Sequence, residues 1–284
     1  MDAVQLATFQ AVIEEGSFEA AARALHVTPS AVSQRIKALE QDVGQVLVRR
    51  AKPCTATEAG QALVRLAGQV GLLEREALAA ARGEAGGGGR TRVSVVVNAD
   101  SLHSWFLPAL AALPAEPALS VELHQDDQDH TAELLRAGTA MAAVTAQHVA
   151  VQGCRVEKLG AMRYLALAAP GRFAGFGTTP MLVFNRKDRL QHRFLAALGH
   201  GAAEPPIHYV PATHAFVEAV RLGLGWGMVP EQTAREDIAA GRGVDLAPGR
   251  HLDVPLYWQC WRMESAVLTA LTTAVKAAAA EALR

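Results

Sequence analysis

Ser30, Ser33, Gln34 and Lys37 recur at the spacing of one helix face and carry short or amide-bearing donors and acceptors. Opposite them, Val32, Ile36, Leu39 and Val43 make a narrow apolar stripe. A polar face of this kind suits base edges and phosphates in a major groove, although a merely solvated helix face has the same composition. Arg35 adds charge beside it, and Thr28 stands at the start of the run. Arg49, Arg50 and Lys52 follow closely, where cations would meet phosphates and supply affinity without sequence information. Between residues 23 and 52, six basic side chains stand against two acidic ones, a modest but grouped excess.

A second set of candidates lies beyond residue 90. Asn98-Ala99-Asp100-Ser101 follows an apolar run and opens a helical pattern. Asp100 or Ser101 can simply cap that helix; alternatively Ser101 and nearby amides hold a carboxylate and Asp100 pairs with an ammonium group. Asp126, Asp127 and Asp129, in QDDQDH (125–130), read either as a solvated loop or as partners for a cationic side chain, which is costly to bury alone. Their spacing lacks the glycine of a calcium loop. Thr145, Phe184 and His214 are further contact candidates, with Phe184 doubling as a core residue and His214 as a helix cap.

Nothing in the chain assembles a catalytic centre. Gly223, Gly225 and Gly227 form GxGxG after a helical pattern and before a strand, the reverse of a dinucleotide fingerprint. His130 and Glu133 lack the second histidine of a zinc protease, and no GxSxG elbow occurs. Cys54, Cys154 and Cys260 lie far apart, so a disulfide scaffold and a zinc ribbon are excluded and the thiols read as small apolar residues. A non-enzyme without metal or cofactor is expected.

Local signals specify the elements that must hold these groups. Leu6, Phe9 and Ile13 share a helix face that Gly16 ends; Ser17 caps a second helix over 18–25. After the turn at 26–28, Thr28 caps a third helix with Pro29 at its first position. Residues 45–56 read as a two-stranded wing turning at Pro53. A long helix follows over 57–82, with Ala59, Leu63, Leu66, Val70, Leu73 and Ala77 in heptad spacing. Leu63, Leu66, Val70 and Leu73 are therefore expected to pair with a second copy, while Gly60, Gly68 and Gly71 weaken the helix. Gly86 to Gly89 is the clearest linker. Beyond it strands are expected at 92–98, 119–125, 140–146, 163–169, 181–185, 207–211, 226–229 and 254–261. Helices are expected at 102–113, 130–137, 188–198, 214–222, 230–241 and 265–283. Such alternation means an open α/β sheet, or two sheets with crossover strands, whose ligands sit at the strands' carboxyl ends.

Composition agrees with two domains. The chain has 284 residues, half of them hydrophobic, and a formal charge of −1, which excludes a histone-like polycation. Charged residues are 19% of the total, below the usual ~25%, a sign of large buried surfaces or subunit contacts. No apolar run approaches the ~18 residues of a membrane span, and the first ten residues lack a signal-peptide pattern. A cytoplasmic protein with no membrane partner is expected.

Residues 20–40, AAARALHVTPSAVSQRIKALE, resemble the helix-turn-helix of LysR-type transcriptional regulators, and VGQVLVRRAKPCTATEAG is similar to that family's wing and linker-helix entry. VNADSLHSWFLPAL, AVTAQHVAVQGCRVEKLGAMRYLAL and DVPLYWQCW resemble the lysine and arginine exporter regulators within it, the LysG/ArgP group. The resemblance implies an all-α winged helix-turn-helix (1–58), a linker and dimerisation helix with a glycine hinge (59–91), and an α/β effector domain (92–284) like a periplasmic binding protein. Its first lobe would take 92–162 and 265–284, its second 163–264. It implies a homodimer, or a dimer of dimers, on double-stranded operator DNA, contact with RNA polymerase, and a basic amino acid in the inter-lobe cleft controlling an exporter gene. A different effector, or a constitutive architectural DNA-binding protein, are the alternatives. Many members carry Gln where this chain has Pro29, so no contact is carried over from that position.

Overall fold

The computed structural model describes residues 1–82, 90–126 and 131–284, without the side chains of 126 and 131–133. The Gly86–Gly89 linker, Asp127, Asp129 and His130 lie outside the described residues, as does the Glu133 side chain.

The head is built from the expected caps. Helix α1 (Ala3–Glu15) starts in a reciprocal Asp2–Gln5 capping box and stops at Gly16, whose φ of 68° few side chains tolerate. Ser17 caps α2 (Phe18–Ala24), and Thr28 accepts the Ala31 N–H to start α3 (Pro29–Val43). Strands β1 (Val48–Arg49) and β2 (Thr55–Ala56) form the antiparallel wing. Phe9, Val12, Val32, Ile36, Leu39 and Leu47 close one small core. That burial leaves the opposite face of α3 to solvent.

Helix α4 (Glu58–Ala81), capped by Thr57, spans 24 residues and serves two cores in succession. Near its start Val64 and Leu63 pack into the head, so one expected seam position is used within the chain. Further along, Leu72 joins the effector-domain core. Arg65 donates to the Gln152 carbonyl, and Glu76 accepts from Ser265 Oγ at 2.7 Å and from the Val267 N–H at 3.2 Å. The buried face is thus Val64, Ala67, Gly68 and Leu72, one residue around from the expected seam; Leu73 stays 47% exposed. Gly60 and Gly68 are places of close approach rather than weak points. A Cβ on Gly60 would meet the Leu47 carbonyl oxygen at 2.3 Å, and one on Gly68 the Trp261 ring at 2.7 Å.

Beyond residue 90 the chain forms a seven-stranded sheet. Strands β3 (Thr91–Asn98), β4 (Leu119–Asp126) and β5 (Ala142–Thr145) are parallel, as in other open α/β layers. Between β3 and β4 run α5 (Ala99–Ser101), a π-helical turn (Leu102–Phe106) and α6 (Leu107–Ala111). The wide turn precedes Pro108, which has no N–H for an α-helical bond. Helix α7 (Thr131–Arg136) precedes β5. Strand β6 (Cys154–Ala168) is 15 residues long and begins nine residues before the expected strand. Its first half, Cys154 to Leu159, lies outside every strand expected from the sequence, since Glu157 and Lys158 interrupt the alternation of polar and apolar residues.

The second lobe contains β7 (Met181–Val183), α8 (Leu190–Ala197), β8 (Ile207–Tyr209), α9 (Thr213–Arg221), β9 (Gly227–Pro230), α10 (Glu231–Ala239) and the unexpected two-residue β10 (Val244–Asp245). Strand β11 (Leu252–Trp261) then returns antiparallel to β6, and its last residues, Tyr257 to Cys260, pair with β5. Residues 257–260 thus run beside β5, inside the span 163–264 expected for the second lobe. The reason is a long-range pairing that no local signal encodes. Helix α11 (Ala266–Ala282) covers the first lobe, with Val267, Leu268, Leu271 and Val275 in its core. Strands β6 and β11 cross between the lobes, leaving a cleft at the carboxyl ends of β3 and β5.

Candidate functional site

The head presents its polar face as expected. Ser30, Gln34 and Lys37 are exposed and Ser33 is half-buried, while Val32, Ile36 and Leu39 hold the other side of α3 in the core. Two residues depart from that arrangement. Thr28 spends its hydroxyl on the α3 cap, and Arg35 turns toward α1, donating to Thr8 Oγ at 3.4 Å. In the wing Arg49 and Lys52 are exposed, and the Arg50 guanidinium lies 4.8 Å over the Phe18 ring. The wing and the α3 face thus offer cations and amide groups that are already solvated.

The cleft between the lobes contains a cavity of about 150 Å³. Asn98 and Asp100 line it from the first lobe; Phe184, Asp188, Gln191 and Thr213 line it from the second. Three of these were candidates from sequence. Asn98 is 1% exposed, and neither its Nδ2 nor its Oδ1 has a hydrogen-bond partner among the described residues; Gln191 Oε1 and Thr213 Oγ1 are buried without partners there too. Each such atom costs about 1–3 kcal/mol when left unpaired, so their gathering at one cavity points to a polar ligand.

Charge of both signs surrounds these atoms. Asp100 accepts from the Tyr164 hydroxyl at 2.6 Å, which fixes its carboxylate on the cavity wall. Asp188 accepts the Phe184 and Leu190 N–H groups at 3.0 and 2.9 Å, just ahead of α8, while lining the cleft. Arg189 and Arg193 complete the second lobe's wall. A zwitterion with an additional cationic group would find partners for every charge.

Other candidates stand elsewhere. Ser101 is fully buried behind the lining, its hydroxyl unpartnered. Thr145 is buried, and its hydroxyl accepts the Gln147 N–H at 3.1 Å, so a local turn uses the group expected for ligand. His214 is exposed and lies across from His103, with ring centroids 6.3 Å apart, instead of lining the cavity. Asp126 sits opposite Asn98 in the β3–β4 register, at the carboxyl end of the strands. Sequence reasoning missed Asp188, Gln191 and Thr213. Its available signal was symmetry: NRKD after the 181–183 strand repeats the strand-to-helix junction of NADS after β3.

The second lobe is braced by ion pairs away from the cleft. Asp237 is fully buried, and its carboxylate accepts from Arg221 at 2.9 Å and from Arg242 at 2.8 Å. Burial alone would raise its pKa, but the two guanidiniums outweigh that and hold it below the usual carboxylate value. Among the described residues no cluster could hold a metal ion, and no helix is long and apolar enough to cross a membrane.

These features define a class: a winged helix-turn-helix head joined by a long helix to a two-lobed domain of the periplasmic-binding-protein type. The chain matches the bacterial regulatory helix-turn-helix protein, lysR family, over residues 4–61 and the LysR substrate binding domain over 86–283. The HTH-type transcriptional regulator LysG of Mycobacterium tuberculosis is 50% identical over 292 residues, which cover 98% of this chain and 94% of that one. ArgP from Mycobacterium tuberculosis matches in structure with a TM-score of 0.90 at 48% identity, over 100% of this chain and 99% of that one. LysG of Corynebacterium glutamicum, a lysine export transcriptional regulatory protein, is 42% identical over 293 residues, all of both chains. Its full-length structure with bound effector Arg matches with a TM-score of 0.82 at 40% identity, again over 100% of both. The protein belongs to the LysR family of bacterial transcriptional regulators.

Proposed function

We propose that the protein regulates an amino-acid exporter gene in response to a basic amino acid, L-arginine or L-lysine, held between its lobes. The observation that carries this reading is the cleft wall, where Asn98, Gln191 and Thr213 lack partners beside the carboxylates of Asp100 and Asp188. The effector named for the Corynebacterium relative has the charges this wall would satisfy. In this reading the ligand's carboxylate takes Asn98, Thr213 and Arg193, and its cationic groups take Asp100 and Asp188. Asp126 and Asp127 remain candidate anchors at the cleft mouth, with Phe184 and His214 as flanking contacts and Ser101 behind the lining.

The α3 face would enter the major groove through Ser30, Ser33, Gln34 and Lys37, with Arg49, Arg50 and Lys52 on phosphates. The uncovered edge of α4, at Leu66, Val70 and Leu73, would meet a second copy, giving a homodimer and from it a tetramer that engages RNA polymerase in the cytoplasm. Ligand must bind one lobe pose better than another to switch the promoter; no catalysis is involved. A constitutive architectural role gives no reason for the unpaired buried atoms of the cleft.

Calorimetric titration with L-arginine, L-lysine and L-leucine tests the reading. Saturable binding of a basic amino acid but not leucine, weakened by Asp188→Asn or Asp100→Asn, is expected. No preference for the basic amino acids over leucine would refute the effector class.

A further inference from the structure

A second cavity, of about 300 Å³, lies outside the inter-lobe cleft where three parts of the molecule meet. Ile13 on α1, Val64 on α4, and Met141 and Trp261 of the first lobe give it an apolar floor. Two deeply buried polar atoms among its lining residues have no partner among the described residues: Ser94 Oγ, on a residue 9% exposed, and Trp261 Nε1, on a residue 1% exposed. The rim is charged, and its acids are engaged. Glu122 pairs with Arg92 at 2.8 Å, and Glu14 accepts from Gln10 Nε2 at 2.7 Å. Arg75 on α4 and Arg90 at the start of the effector domain also line the rim, and neither has an ion-pair partner among the described residues.

An apolar floor, an unpaired buried hydroxyl and two unpaired guanidiniums together select a ligand class. We propose that this junction cavity is a second small-molecule site, taking an amphiphilic monocarboxylic acid. Its hydrocarbon body lies against Ile13, Val64, Met141 and Trp261; its carboxylate meets Arg75 and Arg90 and accepts from the Ser94 hydroxyl. Guanidinium–carboxylate contacts are the stronger kind of hydrogen bond, and the floor excludes water from them. Since the head, α4 and the first lobe each supply a wall, the acid binds only the arrangement in which all three are in place. By linkage it stabilises that arrangement and changes operator affinity in proportion to its preference for it.

The test uses the full-length protein, titrated calorimetrically with hexanoate and phenylacetate, with inorganic phosphate for comparison, each with and without saturating L-arginine. Expected is one acid per chain, retained when L-arginine is saturating, and weakened about tenfold or more in the Arg75→Gln/Arg90→Gln double variant. Ser94→Ala, which removes only the hydroxyl, is expected to weaken the acid without lowering the melting temperature, and it serves if the double variant folds poorly. Competition by L-arginine would place the acid in the inter-lobe cleft and overturn the proposal. So would phosphate binding as tightly as the two acids, full affinity in the variants, or no acid binding at roughly millimolar concentration. Failure of L-arginine to bind at all would strike the cleft reading and leave this one to its own titration.

Discussion

The α3 face and the inter-lobe cleft are both polar, yet they hold their polar groups in opposite states. Ser30, Gln34 and Lys37 stand in water with every donor solvated. Asn98, Gln191 and Thr213 are enclosed and unpaired. The difference follows from the size of the partner. A duplex cannot enter a cavity, so groups that read it must project, and their hydration is exchanged for contacts on docking. A small zwitterion can be surrounded, and enclosed donors with nothing to bond are strongly selective because a wrong ligand leaves them unpaired. The first arrangement tolerates any polar partner; the second favours only a ligand whose groups match its own.

Substitutions can break or sharpen this contrast. The largest effect is expected away from both faces. Asp237→Ala leaves Arg221 and Arg242 without their buried carboxylate and should destabilise the second lobe by about 2–3 kcal/mol in chemical denaturation. All four tryptophans, Trp105, Trp226, Trp258 and Trp261, lie in the effector domain, so their fluorescence reports this unfolding without the head. Next, Gln34→Ala should leave stability unchanged within about 0.5 kcal/mol while costing about 1–3 kcal/mol of discrimination between operator and mutated operator in gel-shift assays. Unchanged discrimination would remove Gln34 from the reading face.

Asn98→Leu should act in the opposite sense. By removing two unpaired buried atoms it should leave the ligand-free protein as stable or more stable, by up to about 1–3 kcal/mol, while abolishing amino-acid binding. A destabilised Asn98→Leu protein would mean that the cleft is not a strained receptor, and the contrast with α3 would fall. The smallest effect is expected at the wing, where Lys52→Ala should weaken all DNA alike and lower the salt slope by about one.

Acid supplies a further test. The carboxylates of Asp237, Glu231 and Asp253 are all held below their ordinary values by neighbouring guanidiniums, against the opposing effect of burial. Their contribution is complete above the unfolded carboxylate range, near pH ~4, and fades as pH falls from there through the lower folded values. Tryptophan fluorescence in an acid titration should therefore show the effector domain loosening below about pH 4, more steeply in the native protein than in Asp237→Asn.

Much of the head is legible in the order of its residues. Ser17 and Thr28 are caps and Gly16 is a stop, each acting within a few residues. The loop NADS was recognisable for the same reason, as a strand-to-helix junction. Asp188 and Thr213 were not, because nothing near them in sequence says that the second lobe folds back to face Asn98. The α4 seam shows the limit in another form. Its heptad positions were correctly read as apolar, yet the helix buries the adjacent face, because Leu47, Trp261 and Gln152 come to it from three different parts of the chain.

By itself, then, the sequence determined the helix-turn-helix, the polar face of its third helix, the long helix and the alternation of strands and helices. These are local properties of capping, periodicity and turn chemistry. Only the tertiary structure decided that β11 serves both lobes, that Asn98 and Thr213 share one cavity, and that α4 docks on its own effector domain. Those outcomes depend on pairing between residues as distant as Arg65 and Gln152, and the register of such contacts is set by the packing of the whole domain.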